Sequence, residues 1–297
     1  MAPHETSRID PRYYQIAVLS GLFLYGVTVL HFDIPVAQAV VSLGTALVAQ
    51  YACTRIWSQP KFDPKSALIS GLSLCLLLRT NHPMLAALAA MIAITSKFAL
   101  RWNGKHLWNP TNVGIVASML LTRDVWVSPG QWGSVAFFGF LIACLGGLVV
   151  NRAARSDVTY AFLGSWLALL FGRAFWLGQT YRVPLHQLQN GALLIFAFFM
   201  ISDPKTTPNS RAGRILFAAL VALGAGAWQF LLYRTNGLLW SLAAFSLAVP
   251  LIDRILPGRR YEWARPSAGT IPGVVHETNL APRPAHANAP VVGVAGS

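Results

Sequence analysis

Residues 212–232 read AGRILFAALVALGAGAWQFLL, with Arg214 as the sole charge. A helix rises about 1.5 Å per residue and the bilayer hydrocarbon is about 30 Å thick, so a stretch like this is long enough to cross. Residues 133–150, GSVAFFGFLIACLGGLVV, repeat the pattern with no charge at all. The whole chain of 297 residues is 55% hydrophobic and only 11% charged, against about 25% charged in soluble domains. So few charges cannot cover a water-facing surface.

The same reading gives ten apolar segments, at about 14–31, 36–54, 67–79, 83–98, 109–122, 133–150, 158–177, 187–202, 212–232 and 235–252. The segments at 67–79, 83–98 and 109–122 are short, so they must tilt, borrow flanking residues or stop partway inside the protein. The expected class is an all-α polytopic membrane protein. Residues 1–13 form a cytoplasmic N-terminal segment, 14–252 the transmembrane domain, and 253–297 a cytoplasmic, largely disordered tail broken by Pro266, Pro272, Pro282, Pro284 and Pro290. The first apolar run leads into further spans without a small-residue cleavage site, so it reads as a first span rather than a removed leader.

A net charge of +13 raises nucleic acid as a partner, but the basic residues sit singly or in pairs between apolar runs and line no soluble face. With the N-terminus inside, 18 basic residues fall on the cytoplasmic side. Four (Arg79, Arg123, Arg182 and Arg234) fall outside, and Arg173 lies within a segment. That bias predicts an even number of crossings with both termini in the cytoplasm of a bacterial inner membrane.

Cys53, Cys75 and Cys144 lie in or beside apolar segments without CxxC spacing, which excludes a disulfide framework, a zinc site and c-type haem attachment. His31, His82 and His186 lie near outer segment ends, and nothing in the sequence pairs them for haem. No nucleophile with a base, no paired carboxylates, no HExxH and no P-loop is present, so no hydrolase reading competes. Ten acidic residues, mostly in loops, offer no evident carboxylate path for protons, while carbonyls and hydroxyls at helix breaks leave a sodium ion open.

Three boundaries carry unusual chemistry. In Lys105-His106-Leu107-Trp108-Asn109-Pro110-Thr111-Asn112-Val113-Gly114, Asn109 reads as an N-cap with Pro110 at the first helical position. Such a start is either a plain capped span or a half-helix whose free N–H groups face an anionic ligand group. Phe62-Asp63-Pro64-Lys65-Ser66 opens another short segment in the same way. Met200-Ile201-Ser202-Asp203-Pro204-Lys205-Thr206-Thr207-Pro208-Asn209-Ser210 closes the eighth segment, where Pro204 stops the helix and forces Asp203 out of it. That set suits a phosphate, a partner subunit or a tight interfacial turn. Arg173 either snorkels outward or binds an anion in a cavity, and Trp57, Trp102, Trp108, Trp126, Trp132 and Trp240 read first as interfacial anchors.

These stretches resemble the membrane subunits NqrB and RnfD, of the sodium-pumping quinone reductase and Rnf electron-transport complexes. The matching pieces are Ser66-Ala67-Leu68-Ile69-Ser70-Gly71-Leu72, Lys105 to Gly114, His186-Gln187-Leu188-Gln189-Asn190-Gly191-Ala192, and Phe198 to Pro208. The resemblance implies about ten helices in two inverted halves, with short broken helices meeting near a shared centre. It also implies a flavin passing electrons within a membrane complex of other redox subunits, coupled to ion movement. By position it puts Ser66, Asn109, Thr111, Asn112, Asn190, Gly191, Asp203, Thr206 and Thr207 near the cofactor or conduction path. The family's covalent flavin sits on the threonine of a Ser-Gly-Ala-Thr type motif, which this sequence lacks, so the flavin implied here, FMN or riboflavin, is noncovalent. A small ion or solute transporter and a cofactor-free scaffold for a redox or biosynthetic complex are the competing readings.

Overall fold

The computed structural model describes residues 10–32, 34–128, 145–147, 149–151, 155–188 and 190–261. Among them are eleven helices with defined bounds, further helical residues at 145–147 and 149–151, and two short strand pairs. In chain order they are α1 (Pro11–Thr28), α2 (Val36–Ile56), α3 (Pro64–Leu77), β1 (Leu78–Thr80), α4 (Pro83–Ala99), β2 (Arg101–Trp102), β3 (Lys105–His106), α5 (Pro110–Leu121) and β4 (Val125–Val127). There follow α6 (Ser156–Trp176), α7 (Arg182–Leu188), α8 (Gly191–Ile195) continuing as a π-helix over Phe196–Met200, α9 (Arg211–Phe230), α10 (Gly237–Ser246) and α11 (Val249–Ile255). Most of the expected 133–150 span and the tail beyond Tyr261 lie outside the described residues, as does Cys144.

A repeated local device starts these helices. Asp10, Asp63, His82 and Asn109 each precede a proline that opens a helix, and the Asp10, Asp63 and Asn109 side chains accept hydrogen bonds from backbone N–H groups in the first turn. Proline has no N–H to leave unsatisfied and its fixed φ suits the first turn, so cap and proline together set where the helix begins. Ser210 caps α9 in the same sense, accepting from the Gly213 N–H at 3.0 Å.

α2 packs on α3 and α4, α4 on α5, and α1 on α3; α9 packs on α6 and α10, and α10 reaches α5. The buried core runs through both groups, from Leu19, Leu74 and Ile94 to Phe162 and Phe217. Large apolar side chains also cover the outside, with Val48 69% and Leu223 58% exposed, an exterior suited to acyl chains rather than water. α2, α6 and α9 are each long and apolar enough to cross a membrane. Two bent pairs, α7 with α8 and its π-helix (53°) and α10 with α11 (52°), each reach that length only together.

α3 has 14 residues and α5 has 12, about 21 and 18 Å long. Each is too short to cross alone. At their far ends β1 and β4 pair antiparallel, Arg79 opposite Trp126. Arg79, which the charge pattern assigns to an outer loop, is buried and donates to the carbonyls of Cys75, Leu76 and Leu78. It thereby answers the unpaired carbonyls and negative dipole end of α3.

Candidate functional site

The start of α3, the start of α5 and the end of the π-helix converge on one cavity of about 280 Å³. From α3 come Ser66, Ser70 and Ser73, spaced to share one face, with Ser70 Oγ donating to the Ser66 carbonyl at 3.1 Å. From α4 comes Lys97, whose side chain is buried. Its Nζ donates to the Ser66 carbonyl at 2.8 Å and to Ser66 Oγ at 3.1 Å. An ammonium so placed holds its charge only through such partners.

α5 and its cap contribute Asn109, Pro110 and Thr111. The Asn109 carboxamide does two tasks: Oδ1 accepts from the Asn112 N–H at 3.0 Å, while Nδ2 donates to the Met200 carbonyl at 3.3 Å and to Asp203 Oδ2 at 3.4 Å. The helix cap is thus bonded to the helix break across 94 positions of sequence. Asp203 Oδ1 accepts from the Lys205 N–H at 3.0 Å. Burial raises the Asp203 pKa above the ordinary carboxylate value against the opposing pull of that hydrogen bond and of Lys97, Lys205 and Arg155.

The π-helix has a wider turn than an α-helix, marked by the Ile201 N–H bonding to the Phe196 carbonyl at 3.0 Å. It turns Phe198 and Phe199 toward this cavity, and Phe196 and Met200 toward a second cavity of about 480 Å³ with Trp126 and Trp166. At the rim, Arg12 bonds Asp63 at 2.5 Å, and Asp10 accepts from Arg12 at 2.7 Å and from Lys65 at 2.9 Å, fastening α1 to the start of α3. Against burial, which acts the other way, hydrogen bonds from Arg12 and Lys65 hold the Asp10 carboxyl well below the usual carboxylate range.

Of the nine residues singled out by sequence, Ser66, Asn109, Thr111 and Asp203 line the 280 Å³ cavity. Asn190 lines the 480 Å³ cavity instead, where its side chain caps α8 by accepting from the Ala192 N–H at 2.9 Å; Gly191, beside it, is buried at the first position of α8. Asn112 is fully buried behind the cap, donating Nδ2 to the Leu239 carbonyl at 3.2 Å while Oδ1 has no partner among the described residues. Thr206 and Thr207 close the turn by donating their N–H groups to the Asp203 carbonyl, and Thr207 Oγ1 accepts from Arg155 at 3.2 Å. Arg173 lies 4.4 Å over the Phe230 ring and bonds Gln179 at 3.4 Å, near the helix end. Among the described residues no three His, Cys, Asp or Glu side chains gather as metal ligands.

Lys97 and His106 are among the lining residues that sequence reasoning did not select. The signal for Lys97 was present, because a lysine inside the apolar run MIAITSKFAL is costly without a polar destination. His106 lines this cavity, and its buried Nδ1 has no partner among the described residues. Burial first, then Arg101, Lys97 and Lys205, push its imidazole down to about 3. The unfolded chain therefore takes up a proton near pH 6.5 that folded His106 refuses, so this group's contribution to stability is lost as pH falls from 6.5 toward 3. Asp203, with its raised value, acts in the opposite sense, so the His106 part is read as the difference between wild type and His106→Gln. From pH 7 to pH 5 the wild type should lose about 2 kcal/mol relative to the variant, measured by unfolding in detergent; parallel pH profiles would exclude a neutral buried imidazole.

Residues 116–262 match the NQR2, RnfD, RnfE family. Over this region, just under half of its length, the chain resembles that family. Similar curated proteins are named as subunits of an ion-translocating oxidoreductase complex. The one from Erwinia tasmaniensis is 30% identical over 161 residues, covering 52% of this chain and 40% of the relative. That from Shewanella amazonensis is 28% identical over 179 residues, 55% of this chain and 49% of the relative. That from Haemophilus influenzae is 30% identical over 137 residues, 45% and 38%. The chain thus spans less than half the length of these relatives. The NQR2, RnfD, RnfE match contains the π-helix, the Asp203 turn and the second half of α5, while Lys97, Ser66 and Asn109 lie N-terminal to it.

Proposed function

We propose that this chain is a member of the NQR2, RnfD, RnfE family and a membrane subunit of an electron-transport complex whose 280 Å³ chamber binds a flavin, FMN or riboflavin, noncovalently. One observation carries the reading: the capped N-termini of α3 and α5 meet the buried Lys97 and the Asp203 turn in a single chamber. The cavity lies just below the usual range of about 300–1,000 Å³ for ligand pockets, a size for one ring system rather than a dinucleotide.

The residues suit such a ring. Phe198 and Phe199 offer apolar faces, and Lys97 and the orphaned His106 nitrogen offer polar contacts for its edge. Arg12 and Asp63 neutralise each other at the rim, which leaves Lys97 and Lys205 facing Asp203. With two positive helix ends added, the chamber favours an electron-rich group over a bare cation. A bound flavin would supply the electron acceptance; the chain's part is to hold the ring and stabilise charge at its edge.

In this reading the helices complete about ten crossings in two inverted halves, with both termini and the tail from 253 in the cytoplasm of a bacterial inner membrane. Other redox or membrane subunits dock on the chain, and electron transfer is linked to ion movement. The names of the relatives, subunits of ion-translocating oxidoreductase complexes, support this.

The complex, purified in mild detergent, should show flavin absorption, and acid denaturation should release the flavin into the supernatant rather than leave it on the chain. Asn109→Leu removes both the α5 cap and the link to Asp203 and should lower bound flavin at least about tenfold. A full-occupancy preparation without flavin defeats the proposal. Solute flux in proteoliposomes without a redox partner would favour the transporter reading, which the bent helix pairs make the second choice.

A further inference from the structure

A third, larger cavity plays no part in that reading. It measures about 670 Å³ and opens between the β2–β3 hairpin, the turn at Asn209, α11 and Arg260. His106 lines both this cavity and the 280 Å³ chamber, so the two lie at the same end of α5.

Its charge is unbalanced. Lys105, Arg254 and Arg260 line it against a single acid, Asp253. Both oxygens of that acid are engaged: Oδ2 accepts from Lys105 Nζ at 2.8 Å and Oδ1 from the Asn209 N–H at 2.7 Å. The guanidinium groups of Arg254 and Arg260 meet no acceptor among the described residues.

Arg260 is exposed and lies against the hairpin turn. Gly104 turns the hairpin with φ +74°, and a Cβ there would lie 3.1 Å from Arg260 Nη2, so the bare turn admits the guanidinium. In that position Arg260 crowds other cations. Burial first, then Arg260, lowers the Arg101 pKa, and Arg260 also adds to the downward pressure that burial puts on Lys105. Arg254 and Arg260 are exposed at the mouth of the cavity; like charges gathered without an acid to spare repel one another, and an anion relieves that repulsion.

Beside the polar Asn103, His106 and Asn209, part of the wall is apolar. Leu107, Val249, Pro250 and Leu251 form it, Leu251 and Trp102 being 58% and 57% exposed. A tryptophan at a helix-linking hairpin is a membrane-interface anchor, and basic pockets between membrane helices with apolar surroundings suit lipid head groups.

We propose that this cavity is a binding site for a phosphate ester held by Arg254 and Arg260, with an anionic phospholipid as its source. A free phosphate compound shares the head-group chemistry but leaves the apolar wall and exposed Trp102 and Leu251 unused.

The test uses the full-length protein in a non-ionic detergent, with thermal unfolding and native mass spectrometry as readouts. Phosphatidylglycerol, phosphatidylcholine and inorganic phosphate are added in turn. Phosphatidylglycerol should raise the unfolding midpoint and stay bound, and phosphatidylcholine should do neither. Arg254→Gln with Arg260→Gln should weaken phosphatidylglycerol binding about 30-fold, whereas Arg123→Gln, an exposed cation at the other end of α5, should leave it unchanged. Stabilisation by inorganic phosphate equal to that by phosphatidylglycerol, and lost in the double variant, would keep the phosphate site and overturn its lipid source. Binding that the double variant leaves intact, or no effect of either phosphate compound, would overturn the proposal.

Discussion

Lys97→Met should destabilise the protein by about 3–5 kcal/mol, and adding Asp203→Asn should return a substantial part of that loss. The lysine is 4% exposed, and its ammonium bonds only to Ser66 among the hydrogen bonds described. Removing it takes one donor from the Ser66 carbonyl, which keeps Ser70 Oγ, and leaves Asp203 with Lys205 and Arg155 as its remaining counter-charges. Breaking one half of a buried charged arrangement costs this much because the other half stays desolvated. Replacing both ends removes the stranded charge, so the double variant should be less damaged than the sum of the singles. Unfolding of all four proteins in mixed micelles measures the coupling. Additive losses would mean that Lys97 and Asp203 do not share a chamber electrostatically.

The part of this site that sequence made legible was local in character. An Asp or Asn before a proline sets a helix start from within a few residues, so Asp63, Ser66 and Asn109 could be placed without tertiary knowledge. Pro204 likewise marked the break at Asp203. What joins those pieces is packing: Asn109 finds Asp203 only because α5 lies beside the end of the π-helix. Lys97 sits near the end of its segment and counts as a loop charge in any orientation argument, until α4 packs against α3 and α5 and turns it inward. Arg79 was hidden for the same reason, since only the β1–β4 pairing folds it back over the end of α3.

Asn190 lies at a different cavity. It belongs to the same run of motifs as Asp203, yet the ten residues of α8 and its π-helix separate them, about 15 Å of helix. The two ends of that rod therefore serve two different cavities. Nearness along a motif says which residues recur together; the rise of the helix decides which ones can meet. Length alone marks the segments at 67–79 and 109–122 as short, and the structure ends both helices short of a crossing.

Gly114→Leu should abolish the folded protein, and the reason ties fold to chamber. A Cβ at Gly114 would lie 2.6 Å from the Ala89 carbonyl oxygen and 2.9 Å from the Ala93 Cβ. The first obstacle is backbone and the second is a side chain with no freedom to turn aside, so α5 or α4 must move. Small residues permit such close helix contacts in membranes, where packing rather than hydrophobic exclusion holds helices together. Gly114→Ala should cost about 1–3 kcal/mol, as overpacking does, and leucine should cost more than the alanine variant. Gly164 in α6 has nothing within 4 Å of its Cβ position, so Gly164→Ala should be neutral or stabilising by up to about 1 kcal/mol. Because Gly114 lies one turn beyond the cap, any shift that accommodates alanine also moves Asn109 against Asp203. The alanine variant should therefore lose bound flavin more steeply than Gly164→Ala at equal expression. Equal folding yields and midpoints for Gly114→Leu and wild type would show that the α4–α5 contact is not tight, and the chamber built on it would lose its foundation.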